Sequence, residues 1–331
     1  MKIVVDGYGG DNAPSEVIKG ALAALAIDPE LQVVLTGKTE EIQSLLKGEN
    51  CGGRLSFAEA PDVISCEETP MVAVRTKKNS SLVVALDLVA AGEADGLVSA
   101  GSTGAVLIGA TLKIGRIKGV ERPALAPALP TIKGGNVILC DCGANVDCKP
   151  SYLVGFAKMA SAYQKGVYGV QEPRVGLLNN GAESTKGNAF SVEAYRLLSE
   201  CPDIRFVGNV EARYILSGDV DVVVADGFDG NIALKSAEGT ANAVFALLKQ
   251  EVCSSFRAKL GALLLKPAFK KLKKKVDFNE HGGAAFLGVK KPVVKAHGAS
   301  KAKSVCGAIL QVRDMVKGGV SEMVSAEKKD D

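Results

Sequence analysis

Short runs of apolar and β-branched residues recur along the chain, each closing on a glycine turn. Most lead into a stretch whose apolar positions fall at helical spacing. Residues 3–6 run into Gly7-Tyr8-Gly9-Gly10, followed by a helical pattern over 15–26. The run 32–36 precedes Gly37 and a helical pattern over 40–47, and 95–99 precedes Gly101-Ser102-Thr103-Gly104. Further on, 136–141 leads to Gly143-Ala144-Asn145 and 174–179 to Gly181. The last run, 220–226, leads to Gly227-Phe228-Asp229-Gly230-Asn231 and a helical pattern over 232–250. Apolar runs without strict alternation predict strands buried on both faces. Interleaved with helices, they predict a three-layer α/β/α fold around a mostly parallel sheet. No proline- or serine-rich tract and no fixed-period repeat divides the chain, so a single α/β unit over 1–331 is expected.

One stretch breaks the rhythm. Within 252–276, Phe256, Leu260, Leu263, Leu264, Ala268 and Leu272 recur at helical spacing, with Leu265 and Phe269 widening the apolar stripe. Arg257, Lys259, Lys266, Lys270, Lys271, Lys273, Lys274 and Lys275 surround them, and no acid falls between Glu251 and Asp277. Pro267 is expected to split the run into two short helices, giving a basic amphipathic helical hairpin. Such a surface suits an anionic membrane, with Leu263, Leu264 and Leu265 as contacts. The same pattern also fits a helix packed at a dimer interface or against the core.

At 331 residues, 47% hydrophobic and 23% charged, the chain has the makeup of an ordinary globular protein with ample core. A net charge of +3 and 5% aromatic residues offer little to a phosphodiester backbone or to stacked bases, so nucleic acid is not an expected partner. The opening Met1-Lys2-Ile3-Val4-Val5-Asp6 carries no signal-type apolar core. No uncharged apolar run reaches the roughly 20 residues of a membrane span. A cytoplasmic location is expected, with the 8 scattered cysteines as reduced thiols.

In sheets of this kind ligands sit beyond the carboxyl ends of the strands, where the glycine turns fall. Exposed N–H groups there and at helix starts favour an anion such as phosphate. A single glycine turn can equally be a tight strand end, but several carrying Asp, Asn, Ser, Thr and Lys point to a shared polar site. Lys186 follows a strand in a Gly/Ser/Thr-rich turn; it can meet phosphate or an oxyanion as a point charge, or stay solvated. Asn231 sits where strand passes to helix and can donate to the same oxygen, or cap the helix. Asp6, Asp11, Asn12, Thr103, Asn145, Asp147 and Asp226 complete the polar set. Of these Asn12, Thr103, Asn145 and Asp226 are the choices for substrate binding, although each can also close an Asx turn or cap a helix. The basic cluster Arg75-Thr76-Lys77-Lys78 can meet phosphate or an acidic carrier protein, or simply face solvent. His281 and His297 neighbour no Ser or Cys nucleophile in sequence and read as turn histidines, although either can also shuttle a proton. Cys140, Cys142 and Cys148 lack a CxxC pair and a second half-site, so no metal is expected.

The motif Asp6-Gly7-Tyr8-Gly9-Gly10-Asp11-Asn12-Ala13-Pro14 resembles the opening signature of the bacterial acyl-acyl-carrier-protein:phosphate acyltransferases of phospholipid synthesis. The likeness continues through Ser99-Ala100-Gly101-Ser102-Thr103-Gly104-Ala105, Arg122-Pro123-Ala124-Leu125-Ala126 and Asp141-Cys142-Gly143-Ala144-Asn145-Val146-Asp147-Cys148-Lys149-Pro150. It then runs through Val175-Gly176-Leu177-Leu178-Asn179, Lys186-Gly187-Asn188, Asp226-Gly227-Phe228-Asp229-Gly230-Asn231 and Glu280-His281-Gly282-Gly283-Ala284. Together these blocks span nearly the whole chain in order. Gly7-Tyr8 stands where the family usually has Ala-Met, Ser102 where it has Asn, and Asn180-Gly181-Ala182-Glu183 where Ile-Gly-Glu-Glu is more usual. None of these departures removes a phosphate-binding glycine.

The resemblance implies the fold of isocitrate and isopropylmalate dehydrogenases and of phosphotransacetylases. It implies transfer of a long-chain acyl group from acyl carrier protein to inorganic phosphate, with Lys186 and Asn231 catalytic and neither nucleotide nor metal required. A homodimer and peripheral contact with an anionic membrane are implied as well. A membrane glycerol-3-phosphate acyltransferase would then use the acyl phosphate on the way to phosphatidic acid. Phosphate is already anionic at neutral pH, so direct attack needs neither a strong base nor an acyl-cysteine on Cys142 or Cys148. The rival readings are a phosphotransacylase using short acyl-CoA and a membrane-associated scaffold for lipid enzymes. A decarboxylating dehydrogenase is a third, without a recognisable metal-binding aspartate set or nicotinamide fingerprint.

Overall fold

A computed structural model describes residues 1–46, 48, 52–276 and 282–326. The strands are β1 (Lys2–Asp6), β2 (Gln32–Gly37), β3 (Leu55–Glu59), β4 (Gly96–Ser99), β5 (Ala124–Pro130) and β6 (Asn136–Cys140). They continue with β7 (Arg174–Asn179), β8 (Arg205–Glu211), β9 (Val222–Val224), β10 (Gly283–Leu287) and β11 (Val293–Ala296). All join one sheet in the order β3-β2-β1-β4-β11-β10-β5-β6-β9-β7-β8. Pairing is parallel from β3 to β11 and again from β6 to β8. Between these halves the steps β11–β10, β10–β5 and β5–β6 are antiparallel. Three reversals turn the second half against the first, so the strand ends that carry the glycine turns fall on opposite edges of the sheet.

The helices are α1 (Ser15–Ile27), α2 (Thr39–Leu46), α3 (Pro70–Thr76), α4 (Ser81–Ala90), α5 (Thr103–Gly109) and α6 (Pro150–Tyr168). After them come α7 (Ala189–Ser199), α8 (Gly227–Cys253), α9 (Phe256–Val276), α10 (Ala302–Lys317) and α11 (Val320–Ala326). Because successive strand side chains alternate, Ile3 and Val5 enter one core while Val4 enters another. On the first face a continuous core runs across both halves, from Val33 and Val98 to Ile138 and Val222, beneath α1, α6, α7 and α10. The second face divides. There α3, α4 and α5 cover Val34, Leu97 and Phe286, while α8 and the turn Ala212–Ser217 cover Leu139 and Val223. The expected three layers and mostly parallel sheet are present, and the divided face is where clefts open.

The stretch 252–276 departs from expectation. Pro267 lies inside α9, and the chain turns instead at Ser254 and Ser255. The break therefore falls between α8 and α9, not at Pro267. A proline within a helix costs about 3 kcal/mol through one lost bond and a ring clash. The Leu, Lys and Ala residues around Pro267 are strong helix formers, whereas the Ser255 hydroxyl accepts from the Ala258 amide and starts a new helix.

Candidate active site

Asp141 follows β6 and is buried, with a carboxylate that accepts from the amides of Leu125 (2.8 Å), Ala144 (3.2 Å) and Asn145 (2.6 Å). Burial nonetheless pushes its pKa up, and the three amide contacts make it the organiser of the loop. The Asn145 side chain donates to Asp141 Oδ2 at 3.0 Å and to the Pro123 carbonyl at 2.8 Å. Its own carbonyl accepts from the Gly227 amide at 2.7 Å, which fastens the start of α8 to this loop. A Cβ on Gly227 would meet the Asn145 oxygen at 2.5 Å, and one on Gly230 the Asp141 oxygen at 2.0 Å. Both positions of Asp226-Gly227-Phe228-Asp229-Gly230-Asn231 therefore require glycine because helix and loop touch.

Asp226 caps α8, accepting from the amides of Phe228 (2.9 Å) and Asp229 (2.8 Å). One helical turn on, Asn231 lies 3.7 Å from where a Cβ of Gly143 would sit. Lys186 stands on the β7–α7 loop with its stem over Gly181, and its backbone carbonyl accepts from the Asn179 amide group at 3.1 Å. Its ammonium is exposed and makes no ion pair among the described residues. Beside it, Gly187 and Asn188 line a cleft of about 900 Å³, as do Asp226 and Asp229 from α8. The walls are apolar, among them Leu129, Leu139, Leu177, Ile215 and Ile232. Asn145, Asp226, Asn231 and Lys186 thus belong to the same edge of the sheet.

Asn12 and Thr103 belong to the other edge. The Asn12 amide donates to the carbonyls of Ala299 (3.2 Å) and Ser300 (3.3 Å), and Thr103 is exposed at the first turn of α5. One polar site shared by all the glycine turns does not form within the chain, because the halves of the sheet run in opposite directions. Asp6 is buried there and accepts from the Ser99 hydroxyl at 2.7 Å; burial raises its pKa. His297 Nδ1 accepts from the Ala299 amide at 3.1 Å, a turn contact, while His281 lies outside the described residues.

Reading the sequence missed Asp141, Asp229 and Lys295. Lys295 is buried on β11, where its ammonium bonds the carbonyls of Ala100 and Ala296. Burial pulls its pKa down to about 8. A lysine inside the apolar run Val293–Ala296 was the available signal. Cys142 is buried, and burial pushes the Cys148 thiol up to about 11. Neither has the depressed pKa that makes a cysteine a nucleophile at neutral pH.

Charge-bearing donors beside a large apolar cleft suit the binding of an acylated substrate and the stabilisation of an oxyanion. The sequence profile of the family described as fatty acid synthesis protein matches residues 1–323. A phosphate acyltransferase from Bacillus cereus is 47% identical over 326 residues, covering 98% of this chain and 98% of that protein. Among solved structures, a phosphotransacetylase from Streptococcus pyogenes shares the fold with a TM-score of 0.63 at 18% identity, covering 95% of this chain and 94% of that one. A 4-hydroxythreonine-4-phosphate dehydrogenase from Burkholderia phymatum gives 0.50 at 15% identity, covering 97% of each. The chain belongs to the fatty acid synthesis protein family, alongside phosphate acyltransferases, and is an acyltransferase.

Proposed function

We propose that the protein transfers a long-chain acyl group from acyl carrier protein to inorganic phosphate, supplying acyl phosphate for phosphatidic acid and phospholipid synthesis. The observation that carries this reading is the cleft of about 900 Å³, apolar along its walls and bordered by Asn188 and Asp226, whose lining residues Gly187 and Ile232 adjoin Lys186 and Asn231 in the chain. A long acyl chain needs the walls, and a reacting thioester needs the donors. A phosphate oxygen attacks the thioester carbonyl, the C–O bond forms and the C–S bond breaks. The carrier thiol leaves with the proton that hydrogen phosphate brought. Lys186 and Asn231 stabilise the negative oxygen between these events. Attack needs no protein nucleophile, which agrees with the raised thiol pKa values of Cys142 and Cys148.

The surface of α9 supports a peripheral location. Among the described residues no helix is long and apolar enough to cross a membrane. Yet Leu263 is 64% exposed, Leu264 77% and Leu265 53%, amid Arg257, Lys259, Lys266, Lys270 and Lys271. We assign these leucines to the surface of an anionic bilayer, where a membrane glycerol-3-phosphate acyltransferase takes the product. Val244 and Leu247 on α8 are exposed too and suit the contact of a homodimer. Incubation with long-chain acyl carrier protein and phosphate, trapped with hydroxylamine, should give the acyl hydroxamate. The same chain on coenzyme A should compete poorly. Preference for short acyl-CoA would replace this reading with a phosphotransacylase.

A further inference from the structure

A second cleft, of about 510 Å³, opens on the divided face of the sheet, and nothing in the proposed reaction yet uses it. Its size falls within the roughly 300–1,000 Å³ of small-molecule sites. Leu107, Leu112 and Phe286 give it apolar walls, and Met71 enters from α3. Two of its apolar groups stand partly in solvent: Leu112 is 51% exposed and Met71 37%. At one end lie Pro123, Ala144 and Asn145. The Asn145 carbonyl bonds the Gly227 amide, and Gly227 follows Asp226, which lines the first cleft. A single loop therefore separates the two clefts.

Positive charge gathers around this opening. Arg116 and Arg122 line it, the former bonding the Glu121 carbonyl and the latter lying 5.7 Å from the Tyr152 ring centre. Arg75 stands one helical turn after Met71 on the exposed side of α3, with no ion pair among the described residues, and exposed Lys78 follows. Glu121 is the one acid among the lining residues. A flat anionic surface would reach the rim without filling the recess. A slender, mostly neutral arm projecting from an acidic globular partner matches both, the arm in the cleft and the partner on the rim.

We propose that this cleft seats the thioester-bearing arm of the acyl carrier protein, and that Arg75, Lys78, Arg116 and Arg122 receive the carrier's acidic surface. The inference rests on the proposed function, since it places a partner in that reaction. The arm then enters from one side of the Asp141–Asn145 loop and the acyl chain lies on the other, with the thioester beside Asn145, on the sheet edge that also carries Asn231 and Lys186.

Arg75→Glu and Lys78→Glu test this, because both residues are exposed at or beyond the end of a short helix and reversal leaves the core intact. The readout is kcat/KM for acyl carrier protein divided by kcat/KM for the same acyl group on neutral pantetheine. That ratio should fall about tenfold or more in the double variant at low salt, and the loss should shrink as salt screens the charges. Circular dichroism checks the fold, and Leu112→Trp, which obstructs the cleft from an exposed position, should raise KM for both thioesters. A ratio unchanged in a double variant that folds overturns the inference while leaving the proposed reaction standing. Loss of binding to anionic vesicles with the ratio unchanged gives the rim to a membrane and overturns it equally. If the unaltered protein makes no acyl phosphate from acyl carrier protein, both readings fail.

Discussion

Lys186 and Asn231 differ in what they bring, a charge and a dipole, and their substitutions should differ in degree. Lys186→Ala should cut turnover by about 100-fold or more, the scale of losing one oxyanion donor. The exposed side chain leaves the β7–α7 loop held by the Asn179 contact to its backbone, so the fold should persist. Near-normal acyl phosphate formation by that variant would remove Lys186 from the mechanism; Asn231→Ala should lose less. With the Cys148 thiol pushed up to about 11, Cys148→Ala and Cys142→Ala should keep most activity. A hydroxylamine-labile acyl group on either cysteine before phosphate is added contradicts this. Lys295 yields a pH prediction. Its ordinary pKa is 10.5, and in the folded chain burial lowers it to about 8. Below pH 8 both states hold the proton, and the folded state bears the full cost of a buried ammonium. Between 8 and 10.5 the folded chain releases the proton before the unfolded chain does. Stability contributed here therefore rises with pH, by roughly 3 kcal/mol. Lys295→Met should lack that rise, read as urea midpoints at pH 8 and 10; a gap between variant and parent that stays constant across this range would refute the buried ammonium.

At the scale of elements, the proposed membrane contact rests on α9. Each Lys or Arg near an anionic leaflet contributes roughly 1 kcal/mol, and a buried leucine side chain about 1.5–3 kcal/mol. Exposed basic residues alone are screened by salt, so the leucines should determine whether binding persists. Leu263→Glu or Leu264→Glu should release the protein from anionic vesicles while acyl phosphate formation in solution continues. If both variants still sediment with vesicles as the unaltered protein does, α9 is not the docking surface and a dimer contact becomes its better assignment. Pro267 shows what local reading misses here: its helix-breaking tendency was outweighed by helix-forming neighbours and a better break one turn before Lys259.

For the whole molecule, parallel strands were legible wherever an unbroken apolar run met a glycine turn, as at β1, β2 and β7. The pair β10 and β11 was not, because short strands late in the chain insert between β4 and β5 by contacts that no local pattern encodes. The two antiparallel steps around β10 cancel, so it is the antiparallel β5–β6 step that reverses half the sheet, which is why Lys186, Asn231, Asn145 and Asp226 gather on one edge and Asn12 and Thr103 on the other. Of the candidate site, the residue types could be named from the sequence and their grouping on one edge could not. Direct acyl transfer to phosphate is the central claim, and rapid quenching of a single turnover tests it. Long-chain acyl carrier protein is mixed with excess enzyme, with and without phosphate, and free carrier thiol and acyl hydroxamate are counted together. The account predicts equal amounts of the two, rising at one rate, with no thiol released when phosphate is withheld. A burst of free thiol in the absence of phosphate, matched by acyl group on the protein, would contradict it.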